Sequence, residues 1–239
     1  MARAVCLAIA GVMAVAHSTA ALADAPFGAA QGAPISQELT FFFLMLGPFK
    51  VVAPFLSVTQ GLDPADARKI AWLATLFSSL ALAAAGLLGE GLLANYGIPL
   101  PILALAGGII LFVVALRNML QQFNPAASRV APRGERAAGK PDLLATAITP
   151  VAFPAIVTPY GVAALVVFLA LSPDMAGRLT IAGLVAAIMA LNLIVMLSAR
   201  RVLSVMAVVL PILGAVLGVV QIALGLKIIY TSLRALLST

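Results

Sequence analysis

Apolar runs of about 20 residues recur along this chain, and the charges are confined to the short segments between them. That length matches what a helix needs to cross the hydrocarbon core of a bilayer. No water reaches the backbone there, so only a structure that pairs every N–H and C=O internally can span it. The chain is 63% hydrophobic and 9% charged, against roughly half and a quarter in a soluble domain. A multi-pass helical membrane protein is the expected class. The net charge of +6 does not point to nucleic acid, because no basic patch with interleaved aromatics is present.

Six spans follow from the runs: about Leu39–Val58, Ala67–Leu93, Pro101–Leu120, Leu143–Leu171, Leu179–Ala199 and Val205–Ile229, with Arg200 and Arg201 ending the fifth. Asp63 and Pro64 suit the N-cap and first position of the second. The longest hydrophilic loop, 121–142, carries Arg129, Arg133, Arg136 and Lys140. With the mature N-terminus outside, nine cationic residues (Arg68, Lys69, Arg117, Arg200, Arg201 and those four) fall inside, against Arg178, Lys227 and Arg234 outside. This is the positive-inside bias of a bacterial inner-membrane protein.

Residues 1–23 have the pattern of a secretory signal peptide, with Arg3, an apolar Val5–Ala16 and an Ala21-Leu22-Ala23 cleavage site. Residues 24–38 read as a mobile N-terminal tail. Cys6 and His17, the one cysteine and the one histidine, both lie in the signal segment. Its removal leaves no thiol or imidazole, which excludes Cys or His catalysis and a Cys/His metal site. No motif for an enzyme, metal or cofactor is found.

Two spans cannot be regular helices. Pro150, Pro154 and Pro159 fall within ten residues of the fourth. Each lacks an N–H and clashes with the carbonyl four residues back. The first contains Gly47-Pro48-Phe49-Lys50 and then Pro54, and is expected to break near its middle. Non-helical backbone at membrane depth is tolerated where it lines a cavity. The two breaks also align. Gly47-Pro48-Phe49 overlies Thr158-Pro159-Tyr160 at an offset of 111, and Pro101-Ile102-Leu103 overlies Pro211-Ile212-Leu213 at 110. Residues 39–120 and 143–239 thus form two repeats of three spans. An odd number of spans makes the second copy inverted, as in many secondary transporters. The expected fold is all-α, six transmembrane helices in two inverted three-helix repeats, with helices 1 and 4 broken.

The candidate solute site lies at the breaks: Pro48, Lys50, Pro54, Thr149, Thr158, Pro159, Tyr160 and Gly161. A lysine in mid-span costs about 2.5–3.5 kcal/mol on insertion scales, so it faces a cavity or a partner. Lys50 can bind a solute carboxylate; the plainer reading is that it pairs with Glu90 or with carbonyls freed at Pro54. Half-helix N-termini beside Thr158 and Tyr160 would favour an anion. Glu90 is a candidate for proton coupling, though a carboxylate near the interface is more often merely solvated. Asn192 and Gln221 suit links between helices, and Gly107, Gly108 and Gly218 suit close helix packing. The expected partners are the bilayer and a small-molecule solute, with a homo-oligomer left open.

Three stretches resemble the MarC-type family of integral membrane proteins. Gly47-Pro48-Phe49-Lys50-Val-Val-Ala-Pro54-Phe55-Leu56-Ser-Val-Thr59 is similar to its N-P-x-G-x-x-P-x-F-L-x-x-T. Gly97-Ile98-Pro99-Leu-Pro101 through Ala106-Gly107-Gly108 to Phe112 is similar to G-I-S-L-P followed by A-G-G-I-x-L-F. Pro150-Val-Ala-Phe-Pro154 through Thr158-Pro159-Tyr160-Gly161 is similar to P-L-A-x-P followed by G-P-G. The family includes proteins described as small neutral amino-acid transporters. The resemblance implies a secondary transporter or exporter of a small solute such as a neutral amino acid. Gly47 and Lys50 stand where the family pattern has Asn and Gly. That departure leaves room for a non-transporting membrane component in stress response or assembly.

Overall fold

The computed structural model describes residues 35–123, 142–172 and 174–238. The signal segment, most of the N-terminal tail and the cationic residues 129–140 lie outside the described residues. The described residues form helices and no strands. In order they are α1 (Ile35–Leu46), α2 (Phe49–Thr59), α3 (Pro64–Tyr96), α4 (Leu100–Phe123), α5 (Leu143–Thr146), an irregular coil of the chain over Ala147–Ile156, α6 (Pro159–Leu171) and α7 (Met175–Leu237). Among the described residues five stretches are long and apolar enough to cross a membrane: Phe41–Thr59, Pro64–Tyr96, Leu100–Leu120, Met175–Ala199 and Gly214–Leu237. Leu143–Ile156 with Pro159–Leu171, bent by 60°, makes a sixth.

Helix ends follow local chemistry. At the start of α3, Pro64 occupies the first position and the backbone of Asp63 is extended. The Asp63 side chain makes no capping bond, contrary to expectation; its carbonyl instead accepts from Ala67 N–H at 3.0 Å. Gly97 ends α3 in the left-handed region, φ 61°, which glycine adopts without a β-carbon penalty. Between α1 and α2 only Gly47 and Pro48 lie outside the helices, and Pro48 already has helical angles as the N-cap of α2. A β-carbon on Gly47 would collide with the Phe43 carbonyl, so the closeness of this break requires glycine. Pro54, expected to help break this span, sits within α2, which runs on through it. Thr149 and Phe153 take extended conformations, φ/ψ −126/123° and −129/128°. Each precedes a proline, whose ring disfavours helical backbone in the residue before it.

The helical backbone does not stop at Arg200 and Arg201, as expected, but continues to Leu237. Nevertheless α7 is not one straight rod. Asn192 and Gln221 bond to carbonyls only two residues apart, Leu46 O and Leu44 O, both at 2.8 Å. Twenty-nine residues of straight helix would hold them about 43 Å apart. The chain therefore doubles back between them, and its two membrane-length stretches flank α1 together.

The interrupted segments lie at the centre. Of the Phe41–Thr59 stretch 59% is buried, against 28–33% for the four unbroken spans. Around them α3 packs on the irregular segment, α6 and α7, and α4 packs on α6 and α7. Trp72, Leu80, Leu87, Leu88, Ile194 and Val219 point outward, each more than half exposed. Such an apolar exterior suits lipid rather than water. Gly108 and Gly225 let α4 and α7 touch: a β-carbon on Gly108 would lie 2.8 Å from Ile228, and one on Gly225 2.9 Å from Phe112. Gly107 does the same against Ala163, at 3.0 Å.

Candidate functional site

A helix that stops inside a membrane leaves its last carbonyls without intrahelical partners. In α1 these include Leu44, Met45 and Leu46, and each meets a side-chain donor, two of them from a distant part of the chain and one from Lys50 just beyond the break. Gln221 Nε2 donates to Leu44 O at 2.8 Å, Lys50 Nζ to Met45 O at 2.7 Å, and Asn192 Nδ2 to Leu46 O at 2.8 Å. Three side chains thus supply what water would supply at a surface helix end. These three bonds satisfy the helix end at the Gly47–Pro48 interruption.

Lys50 makes a second bond, donating to Tyr160 Oη at 2.6 Å. Its ammonium also lies 4.6 Å from the centroid of that ring. The two interruptions therefore meet at one hydrogen bond across 110 residues of sequence. Tyr160 is held by the start of α6, where Thr158 Oγ1 caps Gly161 N–H at 3.2 Å and Pro159 fills the first position. Gly161 is pressed between that hydroxyl and Leu46; a β-carbon there would lie 2.7 and 2.8 Å from them.

Beside this junction is a cavity of about 600 Å³, within the usual range for small-molecule sites. The interrupted segments contribute Gly47, Lys50, Pro54, Pro150, Pro154, Thr158, Pro159 and Tyr160 to its wall. Phe43, Val114, Met119 and Leu217 give an apolar side, and Asn118 and Gln221 give amides. Among the described residues that line it there is no Asp or Glu. Its far wall comes from the end of α4 (Asn118, Met119), the Pro150–Pro154 stretch and the start of the second stretch of α7 (Gly214–Gln221). Asn118 and Met119 lie in the last turns of α4, which ends at Phe123. On the other side of the junction the packing is tight, with Phe41, Phe42 and Phe168 in mutual ring contact at 5.2–6.3 Å.

Of the eight residues expected at a solute site, five line this cavity: Lys50, Pro54, Thr158, Pro159 and Tyr160. Pro48 is absent from the wall and is the N-cap of α2. Thr149 does not line it either; its side chain is exposed and it is absent from the wall. Gly161 is buried behind Thr158 and serves close approach. Lys50 pairs neither with Glu90 nor with carbonyls freed at Pro54, but with Met45 O and Tyr160 Oη. Glu90 instead forms an ion pair with Arg178, Nη2 to Oε2 at 3.0 Å, with both side chains about half exposed and outside the cavity. Arg178 Nε also donates to Ser172 O at 3.2 Å. Gln221 and Gly218, expected only in helix contacts, also border the cavity. Sequence reasoning missed Asn118, Met119 and the carbonyl of Met45. A polar Asn118 near the end of an apolar span was a visible signal; a backbone carbonyl carries none.

Comparison with known proteins gives a consistent frame. The family model described as MarC family integral membrane protein matches residues 33–237. The chain is 24% identical over 196 residues to UPF0056 membrane protein MJ1677 of Methanocaldococcus jannaschii, covering 82% of this chain and 93% of that one. No solved structure matches it.

Proposed function

This chain belongs to the MarC family of integral membrane proteins, and from that premise we propose that it is a secondary transporter or exporter of a small carboxylate-bearing solute, the class that includes neutral amino acids. It is a carrier rather than an enzyme, and it needs no cofactor. The observation that carries the reading is Lys50, whose ammonium lies on the wall of a 600 Å³ cavity at the junction of two interrupted spans. An ammonium at that depth is costly, and such groups face solute pathways. Its three N–H donors exceed the two bonds made inside the protein, which leaves one for a solute carboxylate. Thr158 and Tyr160 add hydroxyls on the same wall.

The proposed architecture is two inverted three-helix repeats, 39–120 and 143–239, with the first span of each broken. The aligned prolines support it: Pro48 precedes α2 and Pro159 opens α6, at equivalent places in the two halves. Under the positive-inside orientation in the inner membrane, N-terminus outside, the cavity lies on the cytoplasmic side of the junction. The tight aromatic cluster then closes the outer side, and alternating access requires that cluster to part. Glu90 is the proposed proton-coupling group, released when its pair with Arg178 opens.

The test is flux in liposomes containing the purified protein, with labelled alanine, glycine and related carboxylates in uptake and counterflow. Saturable flux is expected; absence of both flux and binding across the panel overturns the proposal. A second reading, a non-transporting membrane component in stress response or assembly, draws on the fact that both of Lys50's bonds are internal. It predicts that Lys50→Met leaves the cellular phenotype intact, whereas a carrier loses function.

A further inference from the structure

We propose that the solute is a carboxylate anion without an α-ammonium, an apolar monocarboxylate, because the chain's own Lys50 already occupies the seat where an amino acid's ammonium would bind. The inference rests on the reading of the cavity as a solute site and narrows its substrate class.

A zwitterionic amino acid carries its ammonium one carbon from its carboxylate. A site that takes both groups must offer the cation a carboxylate or a set of carbonyls. The described residues lining this cavity include no Asp or Glu. Beside the neutral amides of Asn118 and Gln221, the strongest seat for a cation is the C-terminal end of α1, where the helix dipole is negative and carbonyls lack intrahelical partners. Here Leu44 O, Met45 O and Leu46 O each already accept from a side-chain N–H, at 2.7–2.8 Å. The central one holds the Lys50 ammonium, and Tyr160 Oη closes on the same nitrogen at 2.6 Å.

A second ammonium would therefore meet a like charge, with only the neutral amide and hydroxyl oxygens of Asn118, Gln221, Thr158 and Tyr160 to accept from it. A carboxylate meets the remaining Lys50 donor and the hydroxyls of Thr158 and Tyr160. Its hydrocarbon body meets Phe43, Val114, Met119 and Leu217. Among the described residues lining the wall the balance of charge is one cation, which one monoanion neutralises.

Matched pairs test this on the purified full chain by equilibrium binding and thermal shift: alanine against propionate, and leucine against 4-methylpentanoate. The partner lacking the ammonium is expected to bind about tenfold tighter or more, as a like charge at close range in a low-dielectric site requires. Leucine binding as tightly as 4-methylpentanoate, or tighter, overturns the inference while leaving the solute site standing. Failure of all four compounds to bind or to be carried sinks the solute site itself. Lys50→Gly vacates the seat and is expected to reverse the preference within each pair; Lys50→Gln, which keeps a donor without the charge, replaces it if the glycine variant does not fold. A folded variant that still prefers the deaminated partner also overturns the inference.

Discussion

Replacing Gly47 by alanine adds one methyl group where α1 gives way to α2. The new β-carbon would lie 2.9 Å from the Phe43 carbonyl carbon, with the carbonyl oxygen closer still. Both atoms are backbone in the last turn of α1, so no rotamer relieves the clash. Overpacking of this kind costs about 1–3 kcal/mol where side chains can yield; against backbone we expect about 3 kcal/mol. The relief available is to pull α1 and α2 apart. A shift of about 1 Å would stretch the bond from Lys50 Nζ on α2 to Met45 O on α1 from 2.7 Å to about 3.7 Å, beyond a hydrogen bond, and release the ammonium from its place on the cavity wall. Stability and solute binding should therefore fall together. The assay is thermal or denaturant unfolding in detergent, alongside solute binding, with Gly91→Ala as control. Gly91 lies inside α3 with nothing within 4 Å of a built β-carbon, so alanine there should stabilise by roughly 0.5–1 kcal/mol. If Gly47→Ala unfolds no earlier than wild type and binds solute normally, the reasoning about this break is wrong.

Four further outcomes are expected. Asn192→Ala should destabilise more than Gln221→Ala, by about 1–3 kcal/mol against about 1: Asn192 is wholly buried, whereas Gln221 borders the cavity, where water can replace it; unfolding curves in the reverse order contradict this. Gly108→Val should cost about 2 kcal/mol or more by wedging α4 from Ile228 and Gly225, and an unchanged unfolding midpoint would refute the close packing. Glu90→Gln breaks a half-exposed ion pair and should change stability by less than about 1 kcal/mol, while flux loses its response to an imposed pH gradient; a retained response removes Glu90 from coupling. In a Cys6→Ser background, Asn118→Cys should react with an impermeant thiol reagent from the cytoplasmic face and Asn95→Cys from the other, and the opposite pattern inverts the topology.

Much of this protein is determined by local chemistry that a linear sequence displays. Runs of apolar residues report spans because lipid cannot solvate a backbone. Pro150, Pro154 and Pro159 forbid a regular helix wherever they fall, because the missing N–H and the ring clash are properties of proline itself. Pro48 and Lys50 in mid-span likewise announced an irregular, polar place. Which groups meet there was not legible, because the partners lie far apart in sequence. Lys50 finds Tyr160 across 110 residues, Gln221 reaches Leu44 across 177, and Glu90 takes Arg178 across 88. Pro54 and Pro48 look equally disruptive as letters, yet α2 runs through one and begins after the other. Composition put the chain in the membrane; only the folding back of α7 brought Asn192 and Gln221 to the same helix end, and with them the conditions under which a helix can stop at that depth.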